Sequence, residues 1–439
     1  MLSQIELGNF KAFASAATLR LRPLTLFVGT NGSGKSSILD AIGLLAQSAP
    51  SAERAADIQW QGSLVDLGVS GEPAVHKSED ERHLTIAVEV EAGEQFHHWY
   101  RRQYDEPEAH VETLGYRLIL RAAAEEWKHE LIVDGKVAVS NSTVPLGRGP
   151  LKKGTGSLLE CNFPASAERV FEPAAAGPAV LSPKLFMATR AVGGNEITPA
   201  AQRAFLHFGV FTSYIGAYLR HRVFVLDSGR VPKRETPQPK SGPLVVGRHG
   251  EHTFSVLSAI FAHAKHGAQA EKIRQWAAAF GMESLSAGWI REELLHAGYV
   301  DSSLQTPLAI EFGGSGAQQV LPIITQIFCA PKHSVILMEE PEAGLHPAVQ
   351  AQLAALFADA VAHGHQLLIT THSEALLRGL SQLCEAGQVR QEDVVAYEFS
   401  KSHAGALVEE CSLHAAAAAL QCPDISYPGT PQLVHKANA

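Results

Sequence analysis

The segment Gly29-Thr30-Asn31-Gly32-Ser33-Gly34-Lys35-Ser36, placed directly after the mostly apolar run Leu24 to Val28, constrains this chain more than any other feature. Two glycines with four residues between them, then a lysine and a hydroxyl residue, form the phosphate-loop pattern when a strand precedes and a helix follows. A polyphosphate needs close approach by several backbone N–H groups, and glycine allows it because it lacks a Cβ and accepts positive φ. Asn31, Gly32, Ser33, Gly34, Lys35, Ser36 and Ser37 are therefore the candidate ATP-binding set. In it Lys35 neutralises the β- and γ-phosphates, Ser36 holds Mg²⁺, and the helix opening near Lys35 turns its positive end to the anion.

The 439 residues suggest two or three lobes with a substantial buried interior. Met1 to Leu7 alternates like a strand and carries no secretory pattern, and no apolar run is long enough to cross a bilayer, so a cytoplasmic protein with no membrane partner is expected. The five cysteines show no CxxC or other metal-ligand spacing, which favours buried reduced thiols. A net charge of −9 excludes a globally basic nucleic-acid coat but not a local patch.

Periodicity divides the chain. Residues 1–58 read as strands over Ile5 to Phe13 and Thr18 to Val28, then a helix over Ser36 to Gln47 with Ile38, Leu39, Ile42 and Leu45 at helical spacing. Residues 59–180 alternate, as in His83 to Val90 and Tyr116 to Leu120, predicting an inserted antiparallel β lobe. Residues 181–304 read mainly as helices, including Thr253 to His266 and Ala270 to Phe280, interrupted by a Pro-rich loop from Val231 to Pro243. Across 305–410 strands at Leu308 to Phe312, Ser334 to Met338 and Gln366 to Thr370 alternate with helical stretches, as an α/β core requires. An Ala-rich tail with three prolines occupies 411–439.

Three further elements fit the loop. Val335 to Glu340 is an apolar strand ending in two carboxylates. Glu340 is the candidate for positioning or activating water, and Glu339 for the metal shell together with Ser36. Leu367 to Thr371 is a second apolar strand, ending at His372 where a γ-phosphate sensor would stand. Gly314-Ser315-Gly316-Ala317-Gln318 opens a helix whose first N–H groups, with Ser315, suit phosphate oxygens.

Together these motifs resemble the ABC-type ATPase heads of the OLD, RecF and SMC families. The resemblance makes Gly29 to Ser36 the Walker A loop, Gly314 to Gln318 the signature motif, Val335 to Glu340 the Walker B strand and His372 the switch histidine. Glu342-Ala343-Gly344-Leu345-His346-Pro347 is similar to the D-loop of OLD-like ATPases, and Asn9 to Phe13 to their opening strand. Two positions depart from the pattern: Glu339 stands where Asp is usual, and Ala317 where a second signature glycine is usual. Gln47, Gln59 and Gln61 are all open as the Q-loop glutamine.

The fold implied is α/β, a P-loop NTPase of ABC-ATPase-head type with an inserted antiparallel β lobe and a helical lobe. The resemblance also implies a head-to-tail homodimer or higher homo-oligomer, in which Ser315, Gly316 and Gln318 of one copy close over ATP and Mg²⁺ held by another. Binding would favour the closed pair and hydrolysis reopen it, making an ATPase switch. The insertion shows no extended heptads and the residues after His372 carry no Asp-x-Asp cluster, so a separate effector protein such as a nuclease, in bacterial antiphage defence, is expected. A RecF-like DNA-repair ATPase and a non-hydrolysing, ATP-stabilised scaffold are the alternatives. Arg220, Arg222, Arg230, Lys233, Arg234, Lys240 and Arg248, opposed locally by Asp227 and Glu235, form one basic stretch that reads either as a solvated loop or as a contact for DNA or RNA phosphates or an acidic partner face.

Overall fold

The computed structural model describes residues 1–49, 58–68, 83–94, 96–97, 111–121, 126–145, 155–161, 168–172, 199–233, 244–291, 294–402 and 405–420. Strands β1 (Leu2–Gly8), β2 (Ala17–Arg20) and β3 (Leu24–Gly29) lead through the glycine-rich loop into α1 (Lys35–Ser48). Strands β4 (Leu84–Glu91), β5 (Thr113–Arg121), β6 (Glu126–Val133), β7 (Lys136–Pro145), β8 (Thr155–Cys161) and β9 (Glu168–Glu172) follow, before α2 (Pro199–Arg222) and β10 (Val223–Leu226). Next come α3 (Thr253–Ala262), α4 (Gly267–Ala279), β11 (Met282–Arg291), β12 (Leu294–Asp301) and β13 (Thr306–Ala309). The last part contains α5 (Ser315–Cys329), β14 (Val335–Glu339), α6 (Pro347–Ala362), β15 (Gln366–Thr371), α7 (Glu374–Glu385), β16 (Val394–Ser402), β17 (Gly405–Cys411) and α8 (Leu413–Leu420).

The strands form an eight-stranded sheet ordered β2-β1-β4-β5-β6-β7-β8-β9, a six-stranded sheet ordered β10-β14-β15-β3-β16-β17 and a small sheet β11-β12-β13. The first is antiparallel throughout. The second is parallel from β10 to β16, with β17 antiparallel at its edge. This is the expected α/β P-loop architecture, and its parallel strands read as continuous apolar runs because both faces are covered. Phe27, Leu337, Leu368, Tyr397 and Phe399 pack into a core shared with α1 and the large sheet. The alternate residues Leu26, Val28, Ile336, Met338, Ile369 and Ala396 pack into a core with α3 to α7. Helix α1 lies between layers and is buried over most of its length, so apolar side chains occur around its circumference.

Several expectations are corrected. The first strand stops at Gly8, because Asn9 (φ 50°) and Lys11 (φ 48°) turn the chain, and Phe10 and Phe13 then exchange two backbone hydrogen bonds. Thr18 to Val28 is two strands broken before Pro23, whose ring removes a ladder donor. The β lobe is continuous with the N-terminal hairpin, since β1 pairs with β4. Residues 282–301, read as helical, are the antiparallel pair β11 and β12. Leu308 to Phe312, read as one strand, ends its extended part at Ala309 and turns through a short 3-10 segment. Part of the supposed tail is α8, which buries Ala416 and Ala417. Residues 421–439, with Cys422, lie outside the described residues, whereas Cys329, Cys384 and Cys411 are free thiols.

The buried Gln366 joins the two large sheets. Its amide donates to Leu2 O (2.7 Å) and Arg22 O (3.1 Å), and its carbonyl accepts from Leu2 N (2.8 Å). This bridge fixes the start of β1 in the large sheet to the start of β15.

Candidate functional site

The site assembles at the C-terminal ends of three neighbouring parallel strands. Strand β15 runs between β14 and β3, with Glu339 opposite Thr370 and Thr370 opposite Phe27. This register brings the acidic pair, His372 and the start of the phosphate loop to one rim, the usual ligand position in open parallel sheets. The opening turn clamps the loop from one side: Lys11 forms an ion pair with Asp40 of α1, and Ala12 O accepts from Ala406 N at 2.8 Å.

The glycines are used where close approach demands them. Gly29 (φ +140°) passes so near β16 that a Cβ would stand 2.2 Å from Phe399 O, and at Gly34 (φ +110°) it would stand 2.7 Å from Ala12 Cβ. Asn31 and Gly32 are exposed at the tip, Gly34 and Ser36 are half-buried, and Ser33, Lys35 and Ser37 are buried. Lys35 Nζ donates to Gly29 O and Thr30 O, both at 2.9 Å. Burial pulls its pKa down, opposed by the charges of Glu340, Glu342 and Glu339 in that order. Lys401 of β16 also overhangs the loop, its Nζ 2.9 Å from where a Cβ on Gly32 would lie.

Burial, then Asp227 and Asp40, hold the Glu339 carboxyl above the usual range, against the lowering effect of the neighbouring Ser36 hydroxyl. Glu340 follows in a left-handed turn (φ 39°), its N–H donating to Thr370 O at 3.0 Å. His372 Nε2 lies 3.5 Å from Glu340 Oε1 without forming a hydrogen bond. Burial, then the Lys35 charge, depresses the His372 pKa against the opposing effect of Glu340. The ring is therefore neutral at pH 7.

Glu342 is 7% exposed and accepts from the Thr371 hydroxyl (2.8 Å) and the His372 N–H (2.6 Å), fixing the strand end that presents His372. It was legible only as part of the D-loop pattern. Ser315 is exposed at the start of α5, Gly316 and Gln318 are half-buried, and Gln318 donates to Glu311 O at 3.2 Å. Of these three signature residues Ser315 is the exposed one.

The residues fit ATP and Mg²⁺. Ser33 Oγ and His372 Nε2 are buried without hydrogen bonds, the loop glycines leave room for close backbone approach, and the Ser36 hydroxyl acts on the Glu339 carboxyl as a neighbouring oxygen donor.

Among the described residues the basic stretch does not form one patch. Arg230 is fully buried, Arg248 pairs with Asp227 at 3.1 Å, and Arg222 donates to Lys332 O. Arg220 and Lys233 are exposed, and Arg234, Glu235 and Lys240 lie outside the described residues, as does most of the Pro-rich loop. Gln47 braces residues 59–65, accepting from Leu64 N and Val65 N and donating to Val65 O, and Gln61 bonds Asp66. No described helix is long and apolar enough to cross a membrane.

Residues 1–94 match the family described as "AAA ATPase domain", and residues 244–378 the family described as "AAA domain, putative AbiEii toxin, Type IV TA system". No curated protein matches. Similar solved structures include an SMC head domain from Thermotoga maritima, at 8% identity and TM-score 0.44, covering 94% of this chain and 99% of that one. An SmcHead bound to the C-winged helix domain of ScpA has 16% identity and TM-score 0.45 over 94% and 98% of the two chains. An Smc head domain with an extended coiled coil, bound to the C-terminal domain of ScpA derived from Pyrococcus furiosus, has 13% identity and TM-score 0.43 over 95% and 98%. The two family matches, each over less than half of the chain, fall on the segments bearing the phosphate loop and the acidic strand, and the sheet order agrees with a P-loop NTPase fold.

Proposed function

We propose that this chain binds and hydrolyses ATP as an OLD/RecF-like ABC ATPase, pairs head to tail with a second copy, and works as a switch on a separate effector. The convergence of Lys35, Ser36, Glu339, Glu340 and His372 on one rim carries the proposal. Mg²⁺, when bound, would be held by Ser36 and Glu339 and would neutralise phosphate charge. Lys35 exchanges its two carbonyl partners for phosphate oxygens. Glu340 orients the attacking water and accepts its proton, and neutral His372 offers a ring N–H to the phosphoryl oxygens.

Ser315 is exposed at a helix start, where it suits the nucleotide of a second copy and supports the paired arrangement. The effector role, with a nuclease as the leading class and antiphage defence as the setting, is supported by the OLD-like Glu-Glu-Pro-Glu and Leu-His-Pro segments. The matched AAA family is itself described with a toxin–antitoxin system. Direct DNA binding through residues 220–248 loses its main support because Arg230 and Arg248 are used internally.

The test measures ATP turnover of the parent and Glu340→Gln, with ATP-dependent pairing followed by light scattering. Turnover lost with pairing retained is expected. Equal turnover in both proteins would remove the assignment, and copurification of native partners identifies the effector.

A further inference from the structure

Arg230 follows β10 on a short turn, Asp227-Ser228-Gly229, and is 0% exposed. Burying a guanidinium is costly unless its donors are satisfied, and here main-chain carbonyls satisfy them. Nε donates to Gln319 O of α5 at 3.0 Å. Nη1 donates to Asp227 O and, at 3.2 Å, to Glu339 O. Nη2 donates to Pro341 O at 3.0 Å, with Glu340 O at 3.5 Å. No carboxylate shares these bonds, although Glu342, Asp227 and Glu340 supply compensating field. Burial lowers the pKa to about 10, which leaves the group charged at neutral pH.

One planar side chain therefore spans three elements: the β10 turn, the first turns of α5, and the backbone on both sides of Glu340. Glu340 occupies a left-handed conformation that a non-glycine residue keeps only when its surroundings impose it. The carbonyls of Glu339, Glu340 and Pro341, held on the Arg230 fork, supply that constraint. The α5 start is also close to the D-loop, since a Cβ on Gly316 would stand 3.6 Å from Leu345 Cδ2.

We infer that Arg230 is a positioning residue that ties the signature helix to the turn carrying Glu340, so that engagement of Ser315 by a second copy's nucleotide sets the water-orienting carboxylate. The inference rests on the proposed ATPase reading for its kinetic consequence, and on the backbone contacts alone for its mechanical one. Lysine cannot substitute, because a single ammonium with three donors cannot span carbonyls on three elements.

The test uses the full chain as parent, Arg230→Lys and Arg230→Met, with two readouts. The first is amide hydrogen exchange without nucleotide. Faster exchange is expected both at 340–345 and at 315–320 in the two variants, with β15 and α6 unchanged. Faster exchange confined to 227–233 would overturn the tie whether or not the protein hydrolyses ATP. The second is the split between KM and kcat. Both variants should lose at least tenfold in kcat while ATP affinity stays within about threefold. Combining Arg230→Lys with Ser315→Ala should then cost little more than either alone, and additive losses would overturn the coupling. Should either variant be too unstable to purify, Arg230→Gln takes its place in both measurements. A parent that binds ATP without turnover would refute the ATPase reading and leave the exchange experiment to decide the tie.

Discussion

Two glycine substitutions separate the folded architecture from the contact proposed between copies. Gly314 precedes α5 with φ −57°, and an added Cβ would meet no atom within 4 Å. The folded chain should therefore tolerate Gly314→Ala: a weaker N-cap costs about 0.5–1 kcal/mol, and lower unfolded-state entropy returns about 0.4–1 kcal/mol. Thermal unfolding should shift by no more than about 2 °C, and ATP affinity of the isolated chain should not change. In the proposed pair the same Cβ would stand where a second copy's phosphate oxygens approach the first N–H groups of α5. Losing one charge-assisted hydrogen bond there is worth about 1.5–3 kcal/mol, or roughly 10- to 150-fold in turnover and in ATP-dependent pairing. The control is Gly29→Ala, whose Cβ would lie 2.2 Å from Phe399 O at φ +140°. It combines about 1–3 kcal/mol of backbone strain with forced separation of β3 and β16, so it should lose stability and nucleotide binding together. Scanning calorimetry, titration with a fluorescent ATP analogue and steady-state hydrolysis decide the matter. A Gly314→Ala protein with parental turnover and parental pairing would refute the claim that a ligand approaches this helix start.

Three other outcomes follow from the site and its supports. Lys35→Ala should abolish tight ATP binding, because the ammonium is the one cation facing Glu339, Glu340 and Glu342 within the loop; retained affinity in a binding titration would contradict its role. Glu342→Ala should strand the Thr371 hydroxyl and the His372 N–H, destabilising the protein by about 2–4 kcal/mol and slowing hydrolysis; an unchanged urea midpoint with normal turnover would argue against it. His129, fully buried beside Tyr116, is depressed by burial to about 3. Its folded-state pKa lies below the unfolded value near 6.5, so its stability contribution is complete above that value. Between pH 6 and pH 3 the loss should approach about 1.4 kcal/mol per pH unit. His129→Gln should flatten that part of the stability profile measured by urea unfolding, and an identical slope would refute the assignment.

The parts legible in the sequence are those where short-range pattern and long-range role coincide. Val335 to Met338 and Leu367 to Thr371 read as buried strands because apolar residues cover both faces. The loop glycines carry their own conformational signal, and the acidic pair and His372 inherit their place from the strands that they end. Strand β11 escapes a strand reading because it lacks a period of two: Met282 and Leu285 are buried while Glu283, Ser284 and most of its far end are open. Arg230 was grouped with its basic neighbours, since nothing local shows that its acceptors lie 89 and 111 residues away. A short apolar run, Val223 to Leu226, followed at once by Asp227, was the one available hint of a further strand reaching the rim.

Strand β15 has a mechanical consequence. Because it is hydrogen-bonded on both sides, the phosphate-loop strand and the acidic strand are held two interstrand spacings apart, about 9–10 Å. Sliding either strand would break a ladder and turn alternate side chains out of two separate cores. The distance between the nucleotide anchor and the carboxylates is therefore a fixed gauge, and any gating must come from rotation of the short turns at the strand tips. Such a device responds through small angular changes at a rigid edge, in the manner of a ratchet pawl rather than a hinge.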